Sequence, residues 1–200
     1  LLKTIAVHHI YTTEAILIKS VPVGEANRLY FLLTKDLGLI RATAQSVRSP
    51  KSKLNGHLQV FCLVKISVLK GKDIWRITSV ESILQNGLIR HAGKLSVLHN
   101  ISKLFLRLVH GEEKNEELFE CIKSAYIICR DADLSHEELR LTEILTVLRM
   151  MHFLGYIKKT EGLSVFAEGV NITPEILENF SKNKKQAILE INNALKETHL

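Results

Sequence analysis

An α+β chain in two parts is the fold class this sequence predicts: a small five-stranded β-barrel over residues 1–84, then an all-α domain over residues 85–200. Two changes near Gln85 predict it. From Thr12 to about Leu84 the apolar residues come in strand-length runs separated by glycine-bearing turns, whereas beyond Gln85 they recur with the helical period of about 3.6. The charge divides at the same place: residues 1–85 hold 12 Lys and Arg against 5 Asp and Glu, a net of +7, and the remainder holds 15 against 16. A chain of 200 residues with 46% hydrophobic content can bury the core of one or two domains.

Each strand has its own signals. Ala15–Lys19 is a short apolar run, broken by Val21-Pro22-Val23-Gly24-Glu25. Arg28–Thr34 follows, and Lys35-Asp36-Leu37-Gly38 turns the chain into Leu39–Ala44. After the loop Gln45–Leu54 come Leu58–Leu69, the tight turn Lys70-Gly71-Lys72-Asp73, and Ile74–Leu84. Five strands in about 75 residues, with one long loop between the third and fourth, fit the oligonucleotide-binding (OB) fold, a small five-stranded barrel.

The helical half reads as four or five helices. Leu95, Leu98, Ile101, Phe105 and Leu108 line one face, and Leu118, Ile122, Ala125 and Cys129 another. Ser135-His136-Glu137-Glu138 has the spacing of a capping box, and Leu141, Ile144, Leu145, Leu148 and Met151 continue its helix until Gly155. Thr173-Pro174 is a further start, with proline where a helix needs no donor, and a break is expected near Ser181. The sequence contains no internal repeat and no low-complexity linker, so the halves are expected to pack together.

The charge of the first half is concentrated. From Gly38 to Arg76, Arg41, Arg48, Lys51, Lys53, Lys65, Lys70, Lys72 and Arg76 face the single acid Asp73, the pattern of a polyanion-binding surface. Gln45–Leu54 places three of these bases in a Ser- and Pro-bearing loop. The candidate phosphate contacts are Arg28, Lys35, Arg41, Arg48, Lys51, Lys53, Lys70, Lys72 and Arg76. For Arg28 the competing reading is a strand residue paired with Glu25. Tyr30, Phe31, Phe61 and Trp75 are aromatics that could stack on bases. Strand alternation sends Tyr30 and Phe31 to opposite faces. Trp75, just past the basic turn, is expected to be partly exposed and is the candidate base contact.

Other classes fare poorly. Gly71-Lys72 lacks the flanking residues of a phosphate-binding P-loop, and no nucleophile elbow is present, so no enzyme is indicated. Glu112, Glu113, Glu116, Glu117 and Glu120 read as the solvated start of a helix, where acids are favoured. Cys62, Cys121 and Cys129 lie in apolar runs and read as core filler in a reducing compartment, and the nine histidines form no metal spacing. Neither a metal nor a cofactor is expected. No stretch approaches 18 apolar residues and the first ten residues include Lys3, His8 and His9, so a membrane span and a signal peptide are unsupported and a cytoplasmic site is expected. The first residue is Leu1 and the only methionines are Met150 and Met151, which suggests a non-Met start or the loss of a few residues.

These landmarks arrive in a characteristic order. Tyr11, Ala15-Ile16-Leu17-Ile18-Lys19, Gly24-Glu25-Ala26-Asn27-Arg28, Thr34, Gly38-Leu39, Ala44, Pro50-Lys51-Ser52-Lys53-Leu54, Gly56 and Leu58-Gln59-Val60-Phe61 resemble the amino-terminal region of the RecO family of DNA repair and recombination proteins. The resemblance runs from about Tyr11 to Leu84; beyond that it is one of length and pattern. It implies an OB-fold domain followed by a helical domain, and a non-enzymatic mediator. Such a mediator binds single- and double-stranded DNA, anneals complementary strands and, with RecR, assists RecA loading onto DNA coated by single-strand-binding protein. A nucleoid-associated bacterial location follows from the same resemblance. Two departures stand out. Asn27 occupies the place of a usual Asp, and no four-cysteine zinc module lies between Gly155 and Val170, so the chain resembles a shortened, zinc-free member. The alternative is an OB-fold module acting on RNA or other single strands outside DNA repair.

Overall fold

The computed structural model describes residues 9–49, 52, 54, 56–84, 91–158 and 162–197. They divide into two compact units: residues up to Gln85 together with Glu112–Lys114, and Asn86–Gly111 with Asn115 onward.

The first unit is a closed barrel of β1 (Ile10–Val23), β2 (Asn27–Thr34), β3 (Gly38–Ala44), β4 (Leu63–Lys70) and β5 (Trp75–Leu84), joined in the order β1-β2-β3-β5-β4 and closed by pairing of β4 with β1. This is the OB arrangement. All neighbours are antiparallel except β3 and β5, which meet in parallel through Ala42 opposite Trp75 and Thr43 opposite Arg76. Alternation points Ala15, Leu17, Tyr30, Leu32, Ile40, Ala42, Val64, Ile66, Val68, Trp75 and Ile77 into one buried cluster. Small and large residues interleave: Ala42 lies opposite both Tyr30 and Trp75, and its single methyl leaves room for the two rings.

Two strands depart from the sequence reading. β1 is not confined to Ala15–Lys19 but starts at Ile10 and runs through Pro22 to Val23, with a bulge between Leu17 and Lys19. Its pairs with β4 end at Ile16, so the stretch around Pro22 pairs with β2 alone, and on such an edge a missing N–H is tolerated. β4 starts at Leu63, because Leu58–Cys62 is taken up by turns. Phe61 there has φ 67°, a left-handed value rare for a bulky side chain, and its amide donates to the Leu17 carbonyl at the bulge at 2.8 Å. Gly24 (φ 59°) and Gly38 (φ 68°) supply the left-handed positions of the two hairpin turns.

The second unit comprises α1 (Ala92–Leu108), α2 (Glu116–Asp131), α3 (His136–Phe153), the single turn α4 (Ser164–Ala167), α5 (Pro174–Phe180) and α6 (Lys184–Glu197), with a 3-10 turn at Ser181–Asn183 where the break was expected. The capping box forms: the Ser135 hydroxyl accepts from the Glu138 amide, and the Glu138 carboxylate accepts from the Ser135 amide at 2.8 Å. Gly155 (φ 78°) follows the end of α3, and Thr173 caps α5. Helix α3 packs against α1, α2, α4, α5 and α6, so it carries apolar or small residues on most sides. Its buried threonines satisfy their hydroxyls within the helix, Thr142 donating to the Glu138 carbonyl and Thr146 to the Thr142 carbonyl. Arg149 is the exception among apolar neighbours. It is 2% exposed, and its Nε and Nη1 donate to the carbonyls of Phe166 and Asn171, both at 2.7 Å.

Candidate nucleic-acid interface

The strand registers sort the basic residues of the barrel into three groups. On the outer face, Lys19 lies opposite Phe31 and Phe31 opposite Arg41, forming one row across β1, β2 and β3. The Lys19 ammonium stands 5.7 Å from the Phe31 ring centroid. In the adjoining row of the same face, Leu29 lies opposite Thr43 and Thr43 opposite Arg76. Arg41 and Arg76 are exposed and, among the described residues, make no ion pair. An aromatic ring flanked by cations and followed by a further arginine can stack a base and neutralise the phosphates beside it.

A second group gathers at the β1–β2 turn. Arg28 shares a strand face with the core residue Tyr30, so it emerges at the end of the barrel. Its Nη2 donates to the Ser20 hydroxyl at 2.9 Å, where the sequence reading had offered Glu25. Burial pushes the Tyr30 phenol up, and the Arg28 charge opposes that shift. Arg48 is exposed and packs back onto the turn, its amide donating to the Ala26 carbonyl and its Nη1 to the Gly24 carbonyl, both at 3.0 Å. Lys51 and Lys53 lie outside the described residues.

The third group surrounds the β4–β5 turn and corrects the sequence reading most. Trp75, expected to be partly exposed, is 3% exposed and belongs to the barrel core. Its alternation with Arg76, Ile77 and Thr78 sends it inward with Ile77. The indole edge reaches the surface only to donate from Nε1 to Oε1 of Glu112 at 2.7 Å, while Lys70 Nζ donates to Oε2 of the same carboxylate at 3.0 Å. Lys70 also stands 5.2 Å from the Trp75 ring centroid, and Tyr11 meets that ring edge-on at 5.3 Å. Lys72 remains exposed beside Lys70. Lys35, in the β2–β3 turn, is half-buried and its amide donates to the Glu14 carbonyl.

Glu112 and Glu113 were expected at the start of a helix, but α2 begins at Glu116 behind the N-cap Asn115, whose side chain accepts the Leu118 amide at 2.8 Å. Residues 112–114 instead fold onto the barrel. Lys114 pairs with Asp36 at 3.7 Å, and the Glu113 backbone covers Gly38 so closely that a Cβ there would run into its carbonyl. Burial raises the Glu112 carboxyl, but the hydrogen bonds from Trp75 and Lys70 and the charges of Lys70 and Arg41 outweigh it and hold it below the ordinary glutamate range. Lys19 and Glu112 were both missed by sequence reading. Lys19 becomes visible only through the β1–β2 register, and Glu112 through a contact far along the chain.

Among the described residues no group of three or more His, Cys, Asp or Glu side chains is placed to hold a metal ion, and no helix is long and apolar enough to cross a membrane.

Comparison with known proteins agrees with this geometry. Residues 8–86 match the family described as Recombination protein O N terminal. A protein of Dehalococcoides mccartyi (strain ATCC BAA-2266 / KCTC 15142 / 195) named DNA repair protein RecO is 38% identical over 117 residues, which cover 58% of this chain and 46% of that protein. The protein of that name from Trichodesmium erythraeum (strain IMS101) is 30% identical over 156 residues, 78% of this chain and 54% of its own length. That of Synechococcus elongatus (strain ATCC 33912 / PCC 7942 / FACHB-805) is 34% identical over 122 residues, 60% of this chain and 44% of its own. The chain thus matches about half the length of these relatives. With its OB topology and a family match along its whole length, the barrel belongs to the RecO family as an amino-terminal domain.

Proposed function

We propose that this chain is a DNA-binding mediator of recombinational repair. Its barrel holds single- and double-stranded DNA by the phosphates, brings complementary strands together and assists loading of RecA, with RecR and single-strand-binding protein as partners and the bacterial cytoplasm as its place of work. The outer-face rows Lys19–Phe31–Arg41 and Thr43–Arg76 carry the proposal, since they set exposed cations around an aromatic ring on an OB barrel. Arg28, Lys35, Arg48, Lys70 and Lys72 extend the basic surface, and Lys51 and Lys53, which lie outside the described residues, are proposed as further phosphate contacts from the sequence alone. Neutralising phosphates on two strands lowers the repulsion that opposes their approach, while base pairing supplies the match. That work needs no covalent step and so no catalytic residue or cofactor.

The test is annealing of complementary strands precoated with single-strand-binding protein, together with oligonucleotide affinity across a salt series. If about four to six phosphates are neutralised, log K should fall with log salt at a slope of about −3 to −4 on single strands. Arg41→Ala with Arg76→Ala should weaken binding and annealing while leaving the circular dichroism unchanged. A slope near zero, or annealing unchanged in that double variant, would refute the reading. Competition between DNA and RNA of one sequence separates it from an RNA-binding role.

A further inference from the structure

We infer that Lys70 Nζ and Trp75 Nε1 form a phosphodiester subsite that Glu112 occupies as an internal substitute, so that residues 112–114 are a strap which nucleic acid must displace.

The inference rests on the reading of the barrel as a nucleic-acid binder, and its geometry is specific. One carboxylate oxygen accepts from Trp75 at 2.7 Å and the other from Lys70 at 3.0 Å. The two non-bridging oxygens of a phosphodiester carry the same single negative charge and can accept from the same two donors. The indole donor is fixed, because its ring is built into the barrel core opposite Ala42. A buried N–H aimed outward needs an acceptor whether or not a ligand is present. Glu112 supplies one in the free protein.

The strap is made of charged side chains. Glu112, Glu113 and Lys114 are all exposed, and their attachments include two ion pairs, Lys70 with Glu112 and Asp36 with Lys114, the indole bond, and the Glu113 backbone resting on Gly38. Exposed ion pairs of this kind contribute little stability and weaken with salt. Gly111, at φ 95° and with nothing within 4 Å of where a Cβ would stand, gives the chain a pivot immediately before the strap. A polyanion that offers Lys70 and Arg41 several phosphates at once therefore outcompetes one carboxylate, and the strap reduces affinity by the fraction of time it is closed.

Trp75 is the single tryptophan of the chain, so its fluorescence reports on the subsite directly. The experiment titrates a labelled mixed-sequence oligonucleotide into the full chain and into Glu112→Gln, Glu112→Ala and Glu117→Gln. Glu112→Gln keeps an acceptor for the indole while removing the charge, and Glu117→Gln makes the same change in net charge on α2. Both Glu112 variants should bind about three- to ten-fold tighter, the gain expected if the strap is closed about 70–90% of the time. Their salt slope should steepen by about 0.7, one more phosphate contact. Oligonucleotide should shift Trp75 emission in the parent. Equal affinity and slope in the Glu112 variants would overturn the inference, as would an equal gain in Glu117→Gln or emission indifferent to saturating oligonucleotide. Emission shifted by an acidic peptide but not by oligonucleotide would reassign the subsite to a protein carboxylate and overturn it too. If parent and variants alike bind no nucleic acid, the underlying reading of the barrel fails as well.

Discussion

The side-chain oxygen of Asn27 accepts the Ser46 amide at 2.9 Å, tying the β1–β2 turn to the chain leaving β3. Ser46 holds a left-handed φ of 52° to make that bond, and Arg48, two residues on, donates to Gly24 and Ala26 in the same turn. Asn27 therefore helps place one of the proposed phosphate contacts. Asn27→Ala should cost about 1 kcal/mol, the usual worth of such a hydrogen bond, and should weaken DNA binding no more than Arg48→Ala does. Asn27→Asp, which keeps the acceptor, should retain most of the stability. Chemical denaturation of the three variants beside the parent checks the order.

Arg149 is the next test. Its guanidinium is buried without a carboxylate partner among the described residues and holds the segment around α4 through the Phe166 and Asn171 carbonyls. Burial lowers its basicity, yet two charge-assisted bonds offset the cost. Arg149→Met removes the donor from both carbonyls and should destabilise by about 3–6 kcal/mol, taking each such bond at about 1.5–3 kcal/mol. Arg149→Lys should recover only part, because an ammonium cannot reproduce the planar fork. Gly169→Ala should also be harmful, since its Cβ would come within 2.8 Å of Arg149 Nη2. A double-mutant cycle between the two positions should show coupling in thermal melts.

The three cysteines should be silent in the native protein. Cys62, Cys121 and Cys129 are all buried, and burial pushes the thiols of Cys121 and Cys129 up to about 12. The thiolate is the reactive form, so a thiol reagent at pH 8 should label none of them until the chain unfolds. Prompt reaction of any one cysteine in the folded state would contradict the packing described.

The capping box of α3 predicts a pH effect. The Ser135 hydroxyl and amide hydrogen bonds hold the Glu138 carboxyl below the ordinary glutamate range. A carboxyl depressed in the folded state contributes stability above its unfolded pKa of about 4.3, and that contribution is lost as pH falls through the folded value. Ser135→Ala should therefore cost about 1 kcal/mol at pH 7, the usual worth of such a cap, and the difference from the parent should shrink below about pH 4. Melting temperatures of both proteins between pH 3 and 7 measure it.

What could be read from the sequence was local. Ser135 and Glu138, Thr173 and Pro174, and Gly38 announce their turns and caps because each acts on residues within one turn of itself. The apolar periods placed the helix faces for the same reason. The reading of Trp75 as exposed followed its basic neighbours, although the alternation Trp75, Arg76, Ile77, Thr78 already pointed inward. The strap was not legible at all. Glu112 meets Trp75 across 37 residues, and in sequence it is indistinguishable from the acids that begin α2. Lys19 and Arg41 likewise become members of one row only when Phe31 lies between them in register.

The parallel meeting of β3 and β5 has a consequence for the order in which the barrel assembles. The hairpins β1–β2, β2–β3 and β4–β5 join residues close in the chain, whereas the seam rests on two register pairs, Ala42 with Trp75 and Thr43 with Arg76, and must close the long intervening loop. Contacts so distant repay their closure entropy late, so this seam, like the still more distant pairing of β1 with β4 from Ile10–Leu69 to Ile16–Leu63, should form after the hairpins. A short seam is also the weakest line of a closed sheet, and amides along it should exchange with solvent faster than those of the long β1–β2 and β4–β5 ladders. Two of the residues that meet there, Thr43 and Arg76, also lie in the proposed binding rows. Nucleic acid bound across them would act as a clasp on the barrel, slowing that exchange and the opening of the seam together.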